Sequence, residues 1–86
     1  MRKTLITGVA GFIGFHTARS EMEKGNYIIG VDNLNDYYDV KIKKNRLNIL
    51  KKYKNFLFFK NDLNNIDFFK KLKKHLNDID VVIHLA

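Results

Sequence analysis

Thr7-Gly8-Val9-Ala10-Gly11-Phe12-Ile13-Gly14 decides how the rest of the chain is read. Lys3 to Thr7, which leads into it, is an apolar run of strand length, and Phe12 to Lys24 repeats apolar residues at helical spacing. Gly8, Gly11 and Gly14 therefore stand where a strand turns into a helix. There Gly8 permits a tight turn, Gly11 lets phosphates approach the backbone with no Cβ in the way, and Gly14 allows close packing of helix on strand. The amides of Phe12 and Ile13 fall in the first helical turn, where N–H groups lack an intrahelical partner and the helix dipole is positive, so they face a pyrophosphate well. A glycine-rich turn that merely needs positive φ is the plainer alternative, and the strand-to-helix context argues against it.

Working outward, Tyr27 to Val31 reads as a second strand, closed by Asp32, 18 residues after Gly14. An acidic side chain there can accept from both hydroxyls of an adenosine ribose, and its charge repels a 2′-phosphate, which predicts NAD over NADP. Phe56 to Phe59 and Asp80 to His84 are two further strands; the segments from about Tyr38 to Tyr53 and from Ile66 to Leu76 have helical periodicity. Strand and helix alternate throughout, the pattern of parallel strands joined by right-handed crossovers. The expected fold is α/β: the N-terminal part of a Rossmann fold, about four parallel strands in the order 3-2-1-4 with three crossover helices. Gly25 closes the first helix, and Asn64 or Asn65 can cap the third. After the third strand, Asp62-Leu63 could meet an adenine, the carboxylate accepting from the amino group and the leucine lying on the ring; a turn or helix-cap aspartate is the equal alternative. In this order the first two crossovers cover one sheet face and only one helix covers the other, while the fourth strand leaves an open edge. The isolated chain is expected to be marginal or self-associating.

Composition bounds the rest. Eighty-six residues, 45% hydrophobic and 29% charged, allow one globular domain with a modest core. The absence of cysteine excludes a disulfide framework and a thiolate metal site, and makes a reducing cytoplasm the default location. Met1-Arg2-Lys3 and the apolar residues to Phe15 imitate a signal peptide, but three glycines break the run, and no stretch approaches the ~20 apolar residues that span a bilayer. No membrane role is expected. The net charge of +7 comes mostly from two lysine blocks, Lys41 to Lys54 and Lys70 to Lys74, which alternate with apolar residues and read as solvated helix faces. A small basic module binding nucleic acid is the remote alternative; no recognised nucleic-acid motif supports it.

The glycine spacing resembles that of extended short-chain dehydrogenases. More specific is Val31-Asp32-Asn33-Leu34-Asn35-Asp36-Tyr37-Tyr38-Asp39-Val40, with Lys43 and Arg46-Leu47 after it, which resembles the second-strand loop of UDP-glucuronate 4-epimerases; Val82-Ile83-His84-Leu85-Ala86 resembles their fourth strand. The resemblance covers all 86 residues. Beside the loop glycines Gly8, Gly11 and Gly14, it implies NAD contacts at Phe12 and Ile13 at the pyrophosphate, at Asp32, Asn33, Leu34, Asn35, Asp36 and Tyr37 around the adenosine, at Asp62 and Leu63 at the adenine, and at Leu85 and Ala86 near the cofactor's centre. It also implies a UDP-sugar as the second ligand, oxidation at C4 to a 4-keto intermediate with hydride return to the other face, and a homodimer. Another nucleotide-sugar epimerase, a 4,6-dehydratase or a non-catalytic dinucleotide-binding fragment are the neighbouring alternatives.

The resemblance assigns no catalytic residue to this chain: the serine or threonine and the Tyr-x-x-x-Lys pair of the family belong beyond residue 86, with the sugar-binding lobe, so residues 1–86 read as an incomplete NAD-binding domain. Tyr37 and Lys41 have the Tyr-x-x-x-Lys spacing but fall at the adenosine end, away from the chemistry. One departure concerns packing. Ser20-Glu21-Met22 replaces a longer apolar run, and Ile13, Thr17 and Glu21 form a stripe expected to face the sheet, so either the helix is rotated or Glu21 reaches solvent past its end. His16 and His84 match family positions but have no second ligand at useful spacing, His75 is expected on a wet helix face, and Phe56, Phe58, Phe59, Phe68 and Phe69 are expected in the core. No metal site is expected.

Overall fold

The structure, a computed structural model, describes residues 1–34, 40–60 and 66–85; for Ile66, Phe69, His75 and Leu76 it describes the backbone alone. Four strands, β1 (Lys3–Thr7), β2 (Tyr27–Asp32), β3 (Phe56–Lys60) and β4 (Val81–His84), alternate with three helices, α1 (Phe12–Glu23), α2 (Val40–Leu50) and α3 (Ile66–Leu76). All pairings are parallel and the order is β3-β2-β1-β4, so this is the Rossmann arrangement that the alternation predicts. The carboxyl ends of all four strands lie at one edge of the sheet. β2 extends to Asp32, which pairs with Lys60.

Each face has its own core. On one, Ile6 and Ile28 of the sheet pack with Phe15, Ala18 and Met22 of α1 and Leu47 and Leu50 of α2. On the other, Leu5, Ile29 and Val31 meet Phe68 and Leu72 of α3. Burying a side chain of that size contributes about 1.5–3 kcal/mol, so the second face rests on a short ledger of contacts. Phe68 is in the core, Phe56, Phe58 and Phe59 are half-buried against it, and Phe69 and His75 have side chains outside the described residues. At the β4 edge Val82 remains 59% exposed, on the face that α3 covers only in part.

The helix boundaries follow from local hydrogen bonds. α1 ends in a paired motif: Gly25, with φ of 88°, donates to the carbonyl of Met22 at 3.0 Å, and Asn26 donates to that of Glu21 at 3.0 Å. α2 stops at Leu50, short of the expected Tyr53: Lys51 still donates four residues back to Leu47 at 2.8 Å, but the amides after it bond three back, Lys52 to Ile49 at 3.2 Å and Tyr53 to Leu50 at 3.0 Å. Asn55 then fixes the chain for β3, its side-chain amide donating to the carbonyls of Met22 at 3.1 Å and Asn26 at 2.6 Å. The expected start of α2 near Tyr38 and the candidate caps Asn64 and Asn65 lie outside the described residues.

Two expectations are corrected. The stripe Ile13, Thr17, Glu21 does not face the sheet: Ile13 is 63% exposed, and Gly14, Phe15, Ala18 and Met22 point inward instead. The helix is rotated so that Gly14 lies against the turn that follows β1, where an added Cβ would lie 2.3 Å from the Gly8 carbonyl oxygen. Glu21 therefore sits on the flank of α1, where it accepts from the guanidinium of Arg2 and from the Asn26 side-chain amide at 2.9 Å, tying together the starts of β1 and β2. The Asn26 hydrogen bond, aided by Arg2, holds its carboxyl below the usual carboxylate range. Second, the lysine block on α2 is not wholly solvated. Lys41 and Lys44 are exposed, but Lys43 is 8% exposed, because with Leu47 and Leu50 it lies on the face turned to the sheet.

Candidate dinucleotide site at the carboxyl edge

The glycine loop forms as its sequence dictates. Gly8 takes φ of 71°, a left-handed conformation that β-carbon-bearing residues avoid, and its amide donates to the carbonyl of Val31 at 2.8 Å, so the chain leaves β1 folded over the end of β2. Gly11 precedes α1 and caps it with no side chain; the first turn closes with Phe15 donating to the Gly11 carbonyl at 2.9 Å. The amides of Phe12, Ile13 and Gly14 come before that bond, and the first turn holds no acidic residue. An anion at this helix end thus meets backbone donors and a favourable dipole, with no acidic side chain in the turn itself.

Asp32 ties the other half of the site to this loop. Its Oδ2 accepts the backbone N–H of Ala10 at 3.0 Å, its Oδ1 accepts that of Leu34 at 2.8 Å, and Lys43 Nζ lies 3.7 Å from Oδ1. The residue is 5% exposed. A carboxylate has about four lone-pair sites, so beyond these two backbone bonds the oxygens can still accept, Oδ1 with the Lys43 ammonium beside it. Leu34, whose N–H closes this turn, has φ of 55°, unusual for a leucine. Arg46 of α2 reaches over the loop, donating to the Ala10 carbonyl at 3.1 Å with its guanidinium carbon 5.9 Å from the ring centroid of Phe12. That adds a fixed positive charge beside the helix end.

The end of β4 arrives at the same edge. Leu85 donates its amide to the carbonyl of Thr7 and to its hydroxyl, both at 3.1 Å, and the Thr7 hydroxyl shares a 2.7 Å hydrogen bond with His84 Nδ1. The structure therefore brings Gly8, Gly11, Phe12, Ile13, Gly14, Asp32, Asn33, Leu34 and Leu85 to one edge of the sheet. The expected positions Asn35, Asp36, Tyr37, Asp62, Leu63 and Ala86 lie outside the described residues. Thr7, Lys43 and Arg46 were not singled out as site residues by the sequence. For Lys43 a signal existed: it precedes Leu47 by four residues and Leu50 by seven, the spacing of a buried helix face.

A parallel α/β sheet with a glycine-lined helix end and an acidic residue after the second strand is of the Rossmann class. The sequence profile of the family described as GDP-mannose 4,6 dehydratase matches residues 5–86, and the chain belongs to that family. Among curated relatives, a UDP-glucuronate 4-epimerase of Thermodesulfobacterium geofontis is 48% identical over 82 residues, covering 95% of this chain and 25% of the relative. UDP-glucuronate 4-epimerase 4 of Arabidopsis thaliana is 38% identical over 95% of this chain and 18% of its own length. A solved UDP-glucuronic acid 4-epimerase from Bacillus cereus, in complex with UDP-glucuronic acid and NAD, superposes with a TM-score of 0.82 at 35% identity, covering 98% of this chain and 26% of that one. The chain spans about a quarter or less of the length of these proteins.

Proposed function

We propose that this chain is the cofactor-binding part of an NAD-dependent nucleotide-sugar 4-epimerase, with UDP-glucuronate as its sugar substrate. The observation that carries the reading is the bond from Ala10 N–H to Asp32 Oδ2, which fixes an anion-binding helix end and a ribose-accepting carboxylate as one unit. The amides of Phe12 and Ile13 hold the pyrophosphate, with Gly8, Gly11 and Gly14 clearing the approach. Asp32 accepts from the adenosine ribose and favours NAD over NADP, with Asn33, Leu34, Asn35, Asp36 and Tyr37 around the adenosine. Asp62 and Leu63 meet the adenine, and Leu85 and Ala86 line the middle of the cofactor. Bound NAD supplies reversible hydride acceptance, which removes and returns hydrogen at sugar C4. The proton that leaves the C4 hydroxyl as the hydride is taken, and returns with it, is the task of the family's Tyr-x-x-x-Lys pair, which with the sugar-binding lobe belongs beyond residue 86. A cytoplasmic location fits the lack of cysteine, and among the described residues no helix is long and apolar enough to cross a membrane.

The names of the relatives favour the glucuronate substrate, while the family description keeps 4,6-dehydration as the second reading. Calorimetric titration with NAD and NADP at two salt concentrations tests the cofactor assignment. Saturable NAD binding, weaker for NADP and about tenfold or more weaker in Asp32→Ala, is expected from the loss of charge-assisted hydrogen bonds. No NAD in or bound by the folded full-length protein would overturn it. Incubating the full-length protein with UDP-glucuronate and, separately, with nucleotide hexoses that keep a C6 hydroxyl separates the activities: epimerisation of UDP-glucuronate conserves mass, whereas 4,6-dehydration expels the C6 hydroxyl of a hexose and loses one water.

A further inference from the structure

Gly11 is bare where phosphates approach, and a residue without a side chain gives the fold nothing by which to hold it. Its backbone is fixed through its neighbours instead. On the near side, Asp32 Oδ2 takes the Ala10 amide at 3.0 Å, and the peptide that joins Ala10 to Gly11 is held at both ends: its N–H donates to the Gly8 carbonyl at 3.1 Å, and its carbonyl accepts from Arg46 Nη1 at 3.1 Å. On the far side, the guanidinium carbon of Arg46 lies 5.9 Å from the ring centroid of Phe12, within the range of a cation–π contact. One side chain of α2 thus grips the residue before Gly11 and the residue after it. Phe12 is 66% exposed, so the core does little to place it, whereas Arg46 is carried by a helix that Leu47 and Leu50 anchor to the sheet.

We infer that Arg46 is a positioning residue for the cofactor's phosphates: it clamps the glycine loop across Gly11, so that the amides of Phe12 and Ile13 are aligned before an anion arrives. The inference rests on the NAD-binding reading above and adds to it a residue from outside the loop. The negative end of the Ala10 carbonyl stands close in sequence to the donors that an anion needs, and its bond to a guanidinium keeps that oxygen turned to α2 and offsets its charge. Without the clamp, Gly11 regains the freedom of a residue with no Cβ, and binding a phosphate must then order the loop as well. The effect belongs to the phosphates. Adenosine, which has none, should lose little, because Asp32 keeps its bond to Leu34.

The full-length protein, freed of NAD, tests this as wild type, Arg46→Met and Arg46→Lys, each checked for folding by circular dichroism. Titration with ADP and with adenosine gives the ratio of their dissociation constants, which a general loss of packing moves little because it weakens both. In Arg46→Met the advantage of ADP over adenosine should fall about tenfold relative to wild type, at low and at high salt alike, since salt screens a remote charge but does not restore an ordered loop. Hydrogen exchange in peptides covering residues 8–14 should quicken in the same variant without ligand, while that of β2 stays as in wild type. Arg46→Lys, which keeps a donor and a charge on a long stem, should return both readouts toward wild type. A fall in the ADP advantage seen at low salt only would make Arg46 a remote charge and not a clamp, and unchanged exchange in residues 8–14 would show that the loop is held without it. Either result overturns the inference while the NAD reading stands. Wild-type protein that is folded and binds neither ADP nor NAD would overturn the NAD reading itself. Should Arg46→Met fail to fold, Arg46→Gln takes its place in both measurements.

Discussion

Replacing Gly14 with alanine would put a methyl group 2.3 Å from the Gly8 carbonyl oxygen, 2.9 Å from the Cα of Val9 and 3.1 Å from the Gly8 carbonyl carbon. Carbon and carbonyl oxygen ordinarily meet no closer than about 3.3 Å, so the shortfall is about 1 Å against backbone, which has no rotamer to change. Overpacking costs about 1–3 kcal/mol, and this position belongs at the upper end. Alanine regains about 1 kcal/mol of helix propensity, which leaves a net loss of about 2 kcal/mol. Gly11 is the internal control. Its Cβ would meet only the same oxygen, at 3.2 Å, and its backbone (φ −71°, ψ 170°) suits any residue. There the entropy gained from the unfolded chain offsets a displacement of a few tenths of an ångström, and stability should change by less than about 0.5 kcal/mol. Ligand binding should show the reverse order per unit of stability lost, because a methyl at Gly11 stands where phosphates approach; a loss of about tenfold in NAD affinity is expected from weakened charge-assisted contacts. Urea unfolding followed by NAD titration of both variants measures the two effects. A Gly14→Ala protein as stable as wild type would refute the close-packing argument, and a Gly11→Ala protein that binds NAD normally would refute the approach argument.

Two further predictions concern residues away from the glycines. Glu21→Gln keeps an acceptor for Asn26 but loses the charge facing Arg2; because the folded-state pKa of Glu21 is depressed, the advantage of wild type is full above the unfolded carboxylate value of about 4.3 and disappears as pH falls through the lower folded value. Urea midpoints from pH 7 to pH 3 should converge at the acid end, and a gap that stays constant would count against the assignment. Thr7→Val removes the hydroxyl that accepts from Leu85 and bonds His84, leaving Leu85 its backbone partner; a cost of about 1 kcal/mol is expected, with faster hydrogen exchange at the Leu85 amide. Unchanged exchange there would show that the hydroxyl does not secure the end of β4.

The sequence announced its architecture because each strand and helix carries its own period, and the glycine loop sits at a junction that only one arrangement explains. Gly8, Gly14 and Gly25 could be assigned before any coordinates, since left-handed φ and close backbone approach leave few alternatives. The rotation of α1 was not legible, because Ile13 looks like a core residue until Gly14 is known to be the contact point, after which Ala18 and Met22 follow at four-residue steps. Lys43 escaped for a different reason. Within a run of lysines, composition speaks for water, while the spacing to Leu47 and Leu50 speaks for burial, and only the acidic partner at the end of β2 decides between them. The clasp of Arg2, Glu21 and Asn26 is likewise a product of three segments that no local pattern connects.

The place of β1 in the sheet also sets a timetable for synthesis. Its residues pair on one side with β2, beginning with Lys3 opposite Tyr27, but on the other with β4, beginning with Thr4 opposite Val81. At about 5–20 residues per second, a ribosome needs about 2–10 s to pass from the end of β2 at Asp32 to the start of β4. Throughout that interval the strand that will become the middle of the sheet has an open backbone edge, the kind that another nascent chain or a chaperone can occupy. The β1-α1-β2 unit, glycine loop and Asp32 included, is thus made early and guarded late.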